Sequence, residues 1–273
     1  MANTSNETPL FVASRESAER YDEFLGPMFF EPYAIEVAGR IDPSPVSIVL
    51  EIAAGTGRVT RHIRKRISTS AHLVASDISE DMLAVAKEKL GDLKIDWQNI
   101  DAQQLPFSDN SIDLVVCCFG YMFVPSKPKA FAEAYRVLKP GGTLLFTTWD
   151  KLENNDASYI ARLAAKKYFE DALSESYNLA TSMNDEASIR PLLEHAGFSR
   201  ISIEKIQKKA VCASAKDAAV GLVKSGPVFQ EIKKRNPAWV DEIIITVEKE
   251  LSEKFGVAPM IAPISALINQ AWK

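Results

Sequence analysis

The chain has 273 residues, 47% of them hydrophobic, and a net charge of -4, so it can bury one large α/β core with appended pieces. That balance provides no whole-protein positive field to draw in nucleic acid, and no nucleic-acid partner is expected. Cys117, Cys118 and Cys212 form neither a CxxC pair nor a secreted disulfide spacing; the first two read as buried strand residues, and no metal centre is expected. No basic-then-apolar leader opens the sequence and the apolar run Leu114 to Val124 is too short to span a bilayer, so no integral membrane segment and a reducing, cytoplasmic setting are expected.

In chain order, residues 15–40 come first, dense in Tyr21, Phe24, Met28, Phe29, Phe30 and Tyr33. Such aromatics are either ordinary helix core or a lid. Ser47 to Ile52 predicts a strand, followed by a helix from about Gly57 to Arg66. On that helix Arg58, Arg61, Arg64, Lys65 and Arg66 have no interleaved aromatics and read as a solvated outer face. His72 to Ser76 is the second strand. Ser79, with Glu80 and Asp81, caps a helix running to Leu90, which Gly91 stops. Lys94 to Gln98 is a short third strand, Ile112 to Cys118 a buried fourth, and Lys129 to Leu138 a helix ended by Pro140-Gly141-Gly142. Thr143 to Thr148 is the fifth strand. After an insertion from Asp150 to Leu193, Phe198 to Ile206 and Ile261 to Trp272 read as the last two strands, with Ser214 to Pro259 inserted between them. His62, His72 and His195 fall on a helix, at a strand start and at a helix end, where surface or capping roles are expected.

The most informative stretch is Val49-Leu50-Glu51-Ile52-Ala53-Ala54-Gly55-Thr56-Gly57-Arg58, with Asp77 about 20 residues on. Gly55 and Gly57 allow a sharp turn and close approach of a ligand to the backbone. Asp77, ending the next strand, can accept hydrogen bonds from two neighbouring ribose hydroxyls. The nicotinamide pattern GxGxxG is absent, because Ala53 takes its first glycine position and Arg58 to Thr60 contain no glycine. No Gly-Lys-Ser/Thr follows the turn, which excludes the phosphate-cradling loop. A methyl group at position 53 is compatible with such a turn if φ stays negative there.

Four stretches, LEIAAGTGRVT (50–60), ASDISEDMLAVAKEKL (75–90), IDAQQLPFSDNSIDLVV (100–116) and AYRVLKPGGTLLFTTW (134–149), resemble in order and spacing the core of a class I S-adenosylmethionine (SAM)-dependent methyltransferase of the UbiE/COQ5 type. The resemblance covers about Ile48 to Trp149. It implies a doubly wound, seven-stranded, mostly parallel sheet of the Rossmann-like kind with helical lid insertions. The implied division is a lid segment at 1–40, a SAM-binding α/β core at 41–150, a lid insertion and last core helix at 151–197, and antiparallel edge strands at 198–273 carrying a helical insertion at 214–259. It also implies that Glu51, Ala53, Gly55 and Gly57 line the methionine part of SAM, that Asp77 takes the ribose, and that Ile78 and Met82 flank the adenine. Asp101 with Ala102 would reach the adenine's amino edge, Cys118 would close the wall at the fourth strand's end, and Tyr21 of the pair Tyr21-Asp22 would sit at the SAM carboxylate.

The implied reaction is in-line methyl transfer to a small, partly apolar or aromatic acceptor, with S-adenosylhomocysteine (SAH) as product. Positioning can supply much of such a rate, so no catalytic residue is assigned. Tyr21, Tyr33, Tyr121 and Trp149 are the candidates for orienting a flat substrate. Cys118-Phe119-Gly120-Tyr121 stands where base methyltransferases carry Asp/Asn-Pro-Pro-Tyr/Phe, which argues against nucleic-acid bases as acceptors. A monomer or homodimer is expected. Two alternatives stay open on sequence: a SAM-binding regulatory or scaffold protein without turnover, and a nicotinamide-dependent oxidoreductase.

Overall fold

The computed structural model describes residues 14–44, 46–169, 176–225 and 229–273. The first 13 residues of the expected 1–40 segment, residues 170–175 of the 151–197 insertion and 226–228 of the 214–259 insertion lie outside the described residues.

Seven strands form one sheet: Ile48–Ile52 (β1), His72–Asp77 (β2), Asp96–Asn99 (β3), Ile112–Cys118 (β4), Leu138–Trp149 (β5), Arg200–Cys212 (β6) and Met260–Trp272 (β7). Their spatial order is β3-β2-β1-β4-β5-β7-β6. The first five pair parallel, while β7 runs antiparallel between β5 and β6. The chain reverses its direction of winding between β1 and β4, and ligands of such sheets bind beyond the strand ends at that point. The fold is therefore the doubly wound, Rossmann-like α/β architecture.

Helices cover both faces: Arg15–Arg20 (α1), Glu31–Gly39 (α2), Thr60–Arg66 (α3), Glu80–Leu90 (α4), Lys127–Val137 (α5), Asp156–Lys166 (α6), Ser176–Leu179 (α7), Glu186–Ala196 (α8), Ala215–Lys224 (α9), Phe229–Arg235 (α10) and Ala238–Phe255 (α11). Strand residues alternate between the faces. Val49, Leu73, Leu114 and Val116 pack with Val37 of α2 and Ile63 of α3. Their neighbours Leu50, Val74 and Val115 join the larger core with Phe131 of α5, Ile189 of α8 and Ile243 of α11. Between α1 and α2, Tyr21–Phe30 is π-helical, with the Glu31 N–H donating to Gly26 O five residues back. Widened turns of this kind accommodate Pro27 inside the helix and recur at functional sites.

Two element boundaries differ from expectation for local reasons. β5 starts at Leu138, before Pro140-Gly141-Gly142, and its register against β4 shifts between Ile112 and Leu114. Gly141, at φ 79, makes this irregularity possible, and its N–H donates to Lys273 O (2.8 Å). β6 continues to Cys212, past the expected Ile206, because Lys205, Lys208 and Lys209 break the apolar alternation without ending the strand. Charged side chains are how an edge strand avoids pairing with other chains. Pro263 sits where β7 has β6 as its one neighbour, since β5 pairs only with residues 266–272.

Candidate functional site

Chain reversal after β1 is built from left-handed residues. Gly55 and Gly57 stand at φ 57 and φ 80, and Ala53 between β1 and the turn stands at φ 54. The expectation of a negative φ at Ala53 is thus corrected: an L-residue occupies a glycine-type conformation there, at a cost of roughly 1–2 kcal/mol. A Cβ on Gly57 would fall 2.7 Å from Leu90 and 3.3 Å from Trp97, so this glycine lets α4 and β3 close on the turn. It lines neither of the cavities described below.

Asp77 lies beside the turn. Its Oδ2 accepts from the Gly55 N–H (2.9 Å) and its Oδ1 from the Ser79 N–H (2.8 Å). Burial pushes its carboxyl above the ordinary range, and the backbone donors of Ser79 and Gly55 oppose that rise. The glycine turn and the carboxylate therefore form one hydrogen-bonded unit.

A cleft of about 160 Å³ opens over this unit. Of the residues singled out by sequence, Tyr21, Ala53, Gly55, Asp77, Ile78, Met82, Asp101, Ala102 and Cys118 line it. Glu51 is not on its wall; the side chain is buried, its Oε2 has no hydrogen-bond partner among the described residues, and burial raises its carboxyl to about 8. Gln103 also lines the cleft, and its Oε1 accepts from the Ser126 N–H (2.9 Å), tying the loop after β4 to the loop after β3.

A second cavity of about 230 Å³ adjoins the cleft through Tyr21, Phe119 and Phe123, which line both. Phe29, Phe30, Trp149 and Leu222 make most of its remaining apolar wall. Phe119 and Trp149 stack with centroids 4.0 Å apart, and Phe30 meets both edge-on. Phe119 was not visible to sequence reasoning as a site residue. It stands at φ 56, an outlying conformation for a bulky side chain, and its N–H donates to Thr147 O (3.1 Å). Trp149 lines this cavity, but Tyr33 and Tyr121 line neither. Tyr33 is fully buried, edge-on to Phe119 and Trp149, with its hydroxyl donating to Ile206 O (2.9 Å). Tyr121 is fully buried between Phe131 and Phe146.

The segment bearing Tyr21 is fastened to the turn by charge. Asp22 is buried, accepts from Thr56 Oγ1 (2.6 Å) and pairs with Arg58 (3.1 Å) and with Lys89 of α4. Glu31 meets Arg58 (3.0 Å), Arg61 and His62 Nε2 (2.8 Å). Burial pushes the Glu31 carboxyl up, but His62 and the two arginines outweigh it and hold it below the usual value. The solvated face expected for this basic run is corrected accordingly: Arg58 and Arg61 dock the N-terminal segment, and Arg64 is buried with its guanidinium donating to Ala71 O (2.8 Å). His62 is one of the docking groups.

A family model described as a methyltransferase domain matches residues 49–142. The UbiE ubiquinone/menaquinone biosynthesis C-methyltransferase of Teredinibacter turnerae is 33% identical over 186 residues, covering 63% of this chain and 73% of that one. The chain belongs to the UbiE-like class I SAM-dependent methyltransferases. The UbiE enzyme of Pseudoalteromonas translucida is 34% identical over 173 residues, 58% of this chain and 68% of its own. Among solved structures, Haemonchus contortus phosphoethanolamine N-methyltransferase 2, in complex with SAM, superposes with a TM-score of 0.58 at 18% identity, covering 95% of this chain and 57% of that one. At that identity the likeness concerns the fold. As a member of this family the protein is an enzyme that uses SAM to methylate a small-molecule acceptor, and the scaffold and oxidoreductase alternatives fall away.

Proposed function

We propose that the cleft over the β1 turn is the SAM site and that the adjoining aromatic cavity receives a small, partly apolar or aromatic acceptor, with SAH as the product. The observation that carries this reading is the Gly55 N–H to Asp77 contact on the wall of a cleft that shares three residues with an apolar cavity.

The residues present fit the cofactor. Each Asp77 oxygen is engaged by one backbone N–H and retains acceptor capacity for a ribose diol. Ile78 and Met82 offer an apolar slot for a flat base, and Asp101 with Ala102 stands beside it. Glu51 stands behind the turn, off the cleft wall, with a buried Oε2 that has no hydrogen-bond partner among the described residues. When bound, SAM supplies an electrophilic methyl group and departs as a neutral thioether.

The chain's own residues supply position and dryness. Phe119, Trp149 and Phe30 hold a flat molecule by its faces and edges. Tyr21 lies on the boundary of the two cavities, and burial raises its phenol far above the usual range, so it stays a neutral hydrogen-bond donor. Among the described residues it is the one titratable side chain on the acceptor cavity's wall. Rate enhancement then rests on orientation, which is worth up to roughly 7–11 kcal/mol in well-aligned systems. The 15–40 segment and the 151–197 and 214–259 insertions act as lids: the second cavity is walled by Phe29 and Phe30, by Leu152 and Ser158, and by Leu222 and Ser225.

The described helices include none long and apolar enough to cross a membrane. A cytoplasmic monomer or homodimer without a nucleic-acid partner completes the proposal, supported by the net charge of -4 and the free cysteines. Calorimetric titration with SAH and, separately, with NADH tests the cofactor reading. Tight SAH binding with no NADH response is expected; the reverse pattern overturns it.

A further inference from the structure

The acceptor cavity has an uneven polar lining. No Asp, Glu, Lys, Arg or His stands on its wall among the described residues. A charged acceptor would lose its hydration there with no counter-ion to replace it. Asn155 is fully occupied, its Nδ2 donating to Ser265 O (3.1 Å) and its Oδ1 accepting from the Ser265 N–H (3.0 Å). Thr181 Oγ1 donates to Asn178 O (3.4 Å), and Ser158 is only partly buried. Ser225, which follows α9, differs: it is 4% exposed, lines the cavity, and its Oγ has no hydrogen-bond partner among the described residues. A buried hydroxyl without a partner costs free energy that a bound group can recover.

We infer that the acceptor is an uncharged molecule with a flat apolar body, and that Ser225 is a specificity residue which, beside Tyr21, meets a hydrogen-bonding group on it. The inference rests on the acceptor cavity proposed above. Ser225 belongs to the 214–259 insertion, remote in sequence from the motifs that line the cleft.

The test uses the full-length protein saturated with SAH and three probes of one shape: naphthalene, 2-naphthol and 2-naphthoate, followed by fluorescence titration. The neutral alcohol should bind about three- to tenfold more tightly than the hydrocarbon, the gain of one neutral hydrogen bond, and the carboxylate should be the weakest. Ser225→Ala should erase the alcohol's advantage while leaving naphthalene and SAH affinities unchanged. Should that variant fail to fold, Ser225→Cys, of similar size and weaker hydrogen bonding, should reduce the same preference, and the three-probe ranking on the wild type stands by itself. Tighter binding of the carboxylate, an alcohol preference that survives in a folded Ser225 variant, or no binding of either neutral probe overturns the inference. Failure of SAH itself to bind would instead strike the cofactor reading.

Discussion

The methyl group of Ala53 fills the space that a side chain on Gly120 would enter: a Cβ on Gly120 would lie 2.5 Å from Ala53 Cβ and 2.7 Å from Cys117 Sγ. Both residues line the cleft, one from the turn after β1 and one from the loop after β4. Gly120, having no side chain, leaves room for the Ala53 methyl at φ 54. Gly120→Ala should therefore destabilise the protein by about 1–3 kcal/mol. Ala53→Gly, which relieves the left-handed strain and loosens the unfolded chain less favourably, should stay within about 1 kcal/mol of the wild type. Urea unfolding of both variants and the double variant reads the coupling. The double variant should be more stable than the two single effects added; strict additivity would show that the two sites do not touch.

Asp77 joins two tasks, since it fixes the Gly55 turn and faces the cleft. Asp77→Ala is expected to weaken SAH binding by more than tenfold, with a loss of stability of about 1–3 kcal/mol from the two orphaned backbone donors. Calorimetry and thermal unfolding separate the two effects. Unchanged SAH affinity would show that the cleft is not the nucleoside site.

Glu51 makes stability depend on pH. Burial, with a smaller contribution from the charge of Asp77, raises its carboxyl from 4.5 to about 8 in the folded protein. The folded state thus binds its proton more tightly than the unfolded state, so the stabilisation is complete below about 4.5, declines as pH rises, and is gone above about 8. Glu51→Gln lacks this dependence. Relative to the variant, the wild type should lose stability between pH 5 and 8 by at most about 1.4 kcal/mol per pH unit. Parallel stability curves for the two proteins would place the Glu51 carboxyl in water.

Asp22 fastens the N-terminal segment to the turn after β1 through Thr56 and Arg58, and to α4 through Lys89. Removing one side of a buried ion pair leaves the other charges uncompensated, at a cost of about 3–5 kcal/mol. Asp22→Ala should accordingly release residues 15–25, raising their amide hydrogen exchange and lowering turnover, while α2, β1, β2 and β4 keep their protection. Uniform loss of protection across the sheet would show that the segment is an integral part of the core.

What was legible in the sequence follows from short-range chemistry. The Ser79 cap and the Gly91 stop act within a few residues, the glycine turn and Asp77 stand at the ends of two adjacent strands, and the structure carries each of them near its expected place. The motifs 50–60, 75–90 and 100–116 run past the ends of the adjacent strands β1, β2 and β3 and each supplies cleft residues, while 134–149 carries β5, so the cleft could be outlined before its geometry was known.

Tertiary structure alone decided which side chains face the ligand. A backbone φ of 54 at Ala53 and 56 at Phe119 leaves no mark on composition or periodicity, because residues distant in the chain hold those conformations. Tyr33 and Tyr121 have the same chemistry as Tyr21, yet packing sends them into the core and leaves Tyr21 on both cavities. Arg58, before α3, and Arg61 on it became docking groups only when Asp22 and Glu31 of the N-terminal segment met them. Sequence determined the glycine turn because its hydrogen bonds are built around one chain reversal; the apolar cavity's wall depends on five stretches meeting, and that meeting is a property of the packed molecule.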